Sequence, residues 1–273
     1  MTEHIHCFLK NLASSETDGQ EATVRLLILQ APPWYVQLCC PEVGMAEVTR
    51  LGHDAWVAFR RLFTHLLVNG QRPHYGIHAS CVTDCNGCAG LVVGPSNAGK
   101  TCLLTALLRR GHQLVCDDYA ILHLERRQVL ALPVGVTMTT KSFSLFPDLE
   151  HLKRHACKFR SRRQWQWTVN LGEVYPCAAP FTEFTPRCLF FTHANFGGES
   201  HVTECSREEA LWWLQIGQIQ NPAVVAASSE SEIRYQRRCF DLAQHLLATT
   251  RFFRALNGDI ERTADLIEAA FNE

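Results

Sequence analysis

Gly94-Pro95-Ser96-Asn97-Ala98-Gly99-Lys100-Thr101 is the stretch of this 273-residue chain whose residue types and spacing bear most directly on chemistry. It fits the pattern G-x-x-x-x-G-K-[ST] in full. The two glycines let the backbone curl, so that successive N–H groups face phosphate oxygens while a helix starting at the loop's end directs its positive pole at them. Lys100 is of a length to reach β- and γ-phosphates, and Thr101 offers a hydroxyl to Mg²⁺. Pro95, Ser96, Asn97 and Ala98 fill the loop, and Cys102 continues the first helical turn. The implied ligands are ATP and Mg²⁺.

Two carboxylates follow, Asp117 and Asp118, at the end of the apolar run "HQLVC". The metal-binding acid of a phosphate-loop protein commonly stands at such a strand end. Neighbouring strand residues face opposite ways, but a turn at the end of the strand lets both reach one site. One carboxylate then serves the Mg²⁺ shell, and the other takes a proton from an attacking hydroxyl. From these residues alone a plainer arrangement stays open, with Asp117 on the metal, Asp118 capping the next turn, and His78 a satisfied core histidine.

The elements that must hold these groups are legible around them. "AGLVV" reads as a strand leading into the loop, and "TCLLTALLRRG" as a helix closed by a basic last turn and a glycine. "GIHASCV" and the strand before the loop form a hairpin turning at Asn86-Gly87. "AILHLERRQVLAL" reads as a second hairpin. Earlier, "ATVRLLILQAP" and "WYVQLCC" read as strands, and apolar spacing predicts a helix from Asp54 to Val68. Later come strands in "RCLFFTHA", "HVTECS" and "TRFFRAL", and helices in "SREEALWWLQIG", "RYQRRCFDLAQHLLA" and "DIERTADLIEAAF". From Pro133 to Pro180 the pattern is weak. The expectation is α/β, a mixed sheet with helices packed on it, in one domain over residues 1–273. Residues 1–72 would add strands and a helix to a nucleotide-binding core at 74–124.

Composition narrows the partners. Lys and Arg total 26 against 27 Asp and Glu, a formal net charge of −1, so nothing global draws the chain to nucleic acid or an anionic membrane. The first residues lack a secretory signal, and no apolar run approaches the ~18 residues of a membrane span, which predicts a cytoplasmic protein. Thirteen cysteines then read as reduced thiols, mostly buried. Cys81, Cys85 and Cys88 cluster near the hairpin, where a zinc site would lack further ligands in the sequence and Cys85 and Cys88, across the Asn-Gly turn, leave a redox thiol pair open.

His78 before the hairpin, the phosphate loop after it and the Asp117-Asp118 pair together resemble the catalytic domain of HPr kinase/phosphorylase, a PEP carboxykinase-like fold. "RRGHQLVCDD" and "HASCV" carry the likeness, over residues 74–124. It implies that Lys100 contacts phosphate, Thr101 coordinates Mg²⁺, Asp117 is the base, His78 supports Asp117, and Asp118 helps with metal. Where that family has a metal-binding glutamate downstream, "PVGVTMTTKSFSLFP" has Lys141. The compact chain is more similar to HPr kinase-related proteins of biosynthetic clusters, including those that phosphorylate lasso-peptide precursors. The resemblance implies a kinase acting on Ser or Thr of a peptide or small protein.

Between Lys153 and Trp167 lies a basic stretch with two tryptophans. One use for it is an acceptor entrance, with Arg160, Arg162 and Arg163 steadying phosphate oxygens and Trp165 and Trp167 gripping an extended peptide; the other is a solvated face. Two further functions remain open: a nucleotide-gated regulatory protein without transfer, and a small-molecule kinase. A homo-oligomer is compatible with all three.

Overall fold

The computed structural model describes residues 27–31, 35–40, 45–50, 74–161, 164–180, 182–219 and 229–273. The helix expected at 54–68 lies outside them. Strands β1 (Leu27–Ala31), β2 (Tyr35–Cys40) and β3 (Met45–Arg50) form an antiparallel meander of their own.

A nine-stranded mixed sheet carries most of the remaining strands. Its members are β4 (His74–Ile77), β5 (Ala79–Thr83), β6 (Cys88–Val93), β7 (Gln113–Cys116), β8 (Ala120–His123), β9 (Val129–Leu130), β13 (Glu183–Ala194), β14 (His201–Glu204) and β15 (Arg251–Asn257). The order is β4-β8-β9-β13-β6-β5-β7, with β15 beside β13 and β14 beside β15. Strand β13 is the hub: it runs parallel to β6 along one edge and parallel to β15 along the other. The remaining pairings are antiparallel.

Both faces of the central strands are apolar, as a sheet covered on both sides requires. On β6, Leu91 and Val93 face one core and Val92 the other; on β13, Leu189 and Phe191 oppose Cys188 and Phe190. Helices α3 (Arg207–Gly217) and α4 (Ser229–Thr249) cover the first face through Trp213, Leu214, Leu242 and Leu246. Helices α1 (Lys100–Arg109) and α5 (Ile260–Asn272) cover the second through Leu104, Leu107, Ile267 and Phe271. Phe190 stacks on Phe253 of β15 at 5.3 Å between ring centres, a contact worth about 0.5–1.5 kcal/mol beyond its buried area.

The β5–β6 hairpin turns through Cys85–Gly87, and only Gly87 takes a positive φ there, 77°. Asp84 fixes the turn, its carboxylate accepting from the backbone N–H of Asn86 at 2.9 Å and of Cys88 at 2.8 Å.

The segment from 133 onward, patternless in sequence, folds into a separate three-stranded sheet against the second face. It comprises β10 (Val136–Thr139), β11 (Cys157–Ser161) and β12 (Gln164–Val169) in the order β10-β12-β11. The short helix α2 (Thr140–Leu145) follows β10 and buries Phe143; Phe146 just beyond it is buried too. Among the described residues no helix is long and apolar enough to cross a membrane.

Candidate functional site

Loop 94–99 joins β6 to α1. The turn is closed by Ala98 N–H donating to Pro95 O at 3.3 Å, and Asn97 takes a left-handed φ of 67°. Gly99, at φ 90°, is the N-cap of α1. A Cβ at Gly99 would stand 2.1 Å from Asn257 Nδ2, which donates to Ala98 O at 3.1 Å. Only glycine fits both the backbone angle and that neighbour. No side chain caps α1, and its first turn holds no acid. The N–H groups that a helix start leaves without intrahelical partners therefore face outward with the positive pole of the helix, the condition for taking an anion.

Lys100 is 4% exposed, and its Nζ donates to Pro95 O at 3.1 Å, folding back over the loop. Burial lowers its pKa, and the neighbouring charges of Asp118 and Asp117 work the other way. Thr101, next along α1, donates to Asp117 Oδ2 at 3.0 Å, with Oδ1 at 3.3 Å.

The two aspartates part company at the end of β7. Asp117 is 4% exposed and also accepts from Ser80 Oγ at 2.5 Å. Its carboxyl is raised from 3.8 to about 6, by burial first and then by the charge of Asp118; Ser80, Lys100 and Thr101 oppose the rise. Asp118 takes a left-handed φ of 60°, an angle that aspartate tolerates better than most residues. That turn frees it from the strand's alternation. Its Oδ1 lies 3.7 Å from His78 Nε2, with the two side chains 31% and 30% exposed.

His78 occupies the corner between β4, which pairs with β8, and β5, which pairs with β6 and β7. Its backbone N–H donates to Gly217 O at 2.8 Å, tying that corner to the end of α3. His78 thus stands next to Asp118, whereas the resemblance implies that it supports Asp117. The carboxylate expected to take a proton from an acceptor, Asp117, is turned inward behind Thr101, and Asp118, expected at the metal, faces the opening.

One cavity of about 980 Å³ is lined by His78, Asp118 and loop residues Ser96, Asn97, Gly99, Lys100, Thr101 and Cys102. Gly94 and Ala98 are buried and Pro95 is exposed; none of the three lines the cavity. No family model matches this chain, and no curated protein matches it. Among solved structures, the HPr(Ser) kinase/phosphatase from Coxiella burnetii is similar, at 12% identity and a TM-score of 0.31, over 71% of this chain and 95% of that one. The likeness is distant. The chemistry of the site stands on its own residues.

The far wall of the cavity comes from residues that the sequence left without a role: Thr137 and Thr139 of β10, Lys141 and Ser142 of α2, Gln164 and Gln166 of β12. Thr139 and Gln166 are register partners, so they share a face. Strand alternation then sends Trp165 and Trp167 to the opposite side. There Lys158 stands over them, with its Nζ 4.2 Å and 5.7 Å from the two ring centres, and Lys153 lies 4.8 Å from the Trp167 ring. The tryptophans expected to grip a peptide are thus turned from the cavity and engaged by lysines. Arg160 falls opposite Trp165 in the β11–β12 register; Arg162 and Arg163 lie outside the described residues.

Ser80 and Asn257 also escaped the sequence reading. Ser80 had a signal, since it is two residues from His78 in the run that leads to the hairpin; Asn257 had none. Cys81 and Cys116 are buried, Cys85 is exposed and Cys88 half-buried, all as free thiols. Among the described residues no group of three His, Cys, Asp or Glu side chains is placed to hold a metal, so the zinc reading gains no support.

Proposed function

We propose that this chain is an ATP- and Mg²⁺-dependent kinase that passes the γ-phosphoryl group to a hydroxyl, that of a serine or threonine on a peptide or small protein. One observation carries the reading. The uncapped start of α1, the amine of Lys100 and the His78–Asp118 pair open on the same cavity.

The loop N–H groups and Lys100 would bind and orient the phosphates, with the reaction driven by position and electrostatics. Hard oxygen donors suit Mg²⁺, which usually takes one or two carboxylates and keeps several waters. Thr101 would present its hydroxyl oxygen to the metal, and Asp117 accepts that hydroxyl's hydrogen bond and holds it in place. When bound, Mg²⁺ neutralises charge on the β- and γ-phosphate oxygens. The geometry supports an exchange of the two aspartate roles inferred from sequence. Asp118 is the group with a route to an incoming alcohol. Its carboxylate takes the hydroxyl proton as the alcohol oxygen bonds to the γ-phosphorus, while the bond from that phosphorus to the β–γ bridging oxygen breaks and ADP departs. His78 positions Asp118.

A second reading has its own support. Most of the side chains on the wall facing the loop are threonine, serine and glutamine, beside Lys141 and Leu145, with the tryptophans turned away, and that lining suits a small hydroxylated molecule. A single experiment separates these readings: the protein and its Asp118→Asn variant are incubated with γ-labelled ATP, Mg²⁺ and either a pool of Ser/Thr peptides or a pool of small alcohols. One phosphate added to peptides by the wild type and lost in the variant supports the first reading. Label on small alcohols alone supports the second. No transfer to either pool defeats both and leaves a nucleotide-gated protein.

A further inference from the structure

Lys141 lines the cavity together with Lys100, Thr101, Asp118 and His78. Its side chain is exposed there, and among the described residues it makes no ion pair and no hydrogen bond. A lone exposed lysine is ordinarily a solvated surface charge, but the backbone beneath this one is fixed in place. Thr139 and Ser142 form a capping box at the start of α2. Phe143 and Phe146 are 1% exposed and anchor α2 and its C-terminal end in the core. Ser142 Oγ lies 3.7 Å from Cys102 Sγ, in the first turn of α1 beside Thr101. The residue next to Lys141 is therefore docked on the helix start that flanks the loop.

Charge gives this placement a consequence. At the mouth of the loop one lysine, Lys100, faces two carboxylates, Asp117 and Asp118. The cluster is thus short of positive charge for a triphosphate, even with Mg²⁺ present. Lys141 is a cation on the same cavity without a carboxylate of its own. Its flexible four-carbon stem suits a point-charge contact to phosphate.

We propose that Lys141 binds the γ-phosphate of ATP, a second phosphate-binding lysine reaching in from α2, and that it gives the site its preference for triphosphate over diphosphate. The proposal rests on the kinase reading above. Its test needs no acceptor: equilibrium binding of Mg·ADP and of Mg·AMPPNP, a non-hydrolysable ATP analogue, to the full chain and to Lys141→Ala and Lys141→Met. The wild type should bind AMPPNP about tenfold or more tighter than ADP, as one charge-assisted contact allows. Both variants should bring the two affinities within about twofold of each other and leave ADP affinity as it was. Methionine keeps the stem and removes the charge, so a preference retained in Lys141→Met overturns the proposal. Equal losses for ADP and AMPPNP in the variants overturn it as well, since Lys141 would then not be reading the γ-phosphate. A wild type that binds neither nucleotide defeats the kinase reading itself, whereas unchanged variants of a nucleotide-binding wild type defeat only the role of Lys141.

Discussion

The two walls of the cavity are built on different plans. The loop wall is continuous chain: a strand, six loop residues and a helix start set Lys100 and Thr101 by local geometry, with Gly99 fitted against Asn257. The opposite wall is assembled from β10, α2 and β12, brought together by register pairing across some thirty residues of intervening chain. Local geometry of the first kind writes itself into a short motif. A wall of the second kind depends on which strands pair, and its residues, mostly Thr, Ser and Gln, are unremarkable in sequence. On the proposed reading the first wall holds the phosphates, with Lys141 alone reaching them from the second, and the Thr and Gln side chains of the second wall meet the acceptor.

Substitutions in the two walls should therefore fail in different ways. The largest effect is expected at Asp118. Asp118→Asn should lower kcat about 10²–10⁴-fold, the usual worth of a positioned general base, with ATP affinity little changed, as single-turnover transfer with a saturating acceptor would measure. A loss of similar size in Asp117→Asn alone, with Asp118→Asn active, would return the base role to Asp117.

Asp117→Asn has a sharper signature in stability. The buried carboxyl is raised from 3.8 to about 6, so in the nucleotide-free protein it favours folding when protonated, below pH 4, and that contribution is lost as pH rises through 6. Above that pH the buried charge costs up to about 3 kcal/mol. Asparagine removes the charge, so thermal unfolding should show a stabilised variant at pH 7.5, and the gain should shrink toward nothing as pH falls below 4. A variant destabilised at pH 7.5 would mean that the bonds from Ser80 and Thr101 outweigh the burial.

Gly99→Ala should cost about 2 kcal/mol or more, because alanine meets both an unfavourable φ and Asn257. Its effect should appear in stability and in ATP affinity together. Gln166→Ala, on the opposite wall, should leave both alone and raise only the KM for the acceptor. If Gln166→Ala weakens ATP instead, the division between the walls is wrong. The smallest effect is expected at Trp165, 46% exposed on the far side of β12: alanine there should change stability by less than about 0.5 kcal/mol and leave transfer to peptides unchanged.

The same division explains what the sequence disclosed. The strand–loop–helix unit, the Asp-Asp strand end, both hairpins and the C-terminal strand and helix stand where local pattern places them. The placement of Asp117 inside and Asp118 at the cavity could not be read, because it turns on one backbone angle, φ 60° at Asp118, and no side-chain pattern encodes it. The orientation of Trp165 and Trp167 depended on a register with β10 and β11 that forms only once the chain has folded. Lys141 was visible as a residue out of keeping with its resemblance, but only the placement of α2 against the first turn of α1 gives it a site to serve.

The exchange of the two carboxylates is tested most directly by the Mg²⁺ dependence of ATP affinity in the wild type, Asp117→Asn and Asp118→Asn. With Asp117 supporting Thr101 at the metal and Asp118 reserved for the acceptor, Mg²⁺ should tighten ATP binding in the wild type and in Asp118→Asn, and should fail to do so in Asp117→Asn. Loss of the Mg²⁺ effect in Asp118→Asn with its retention in Asp117→Asn would contradict the account.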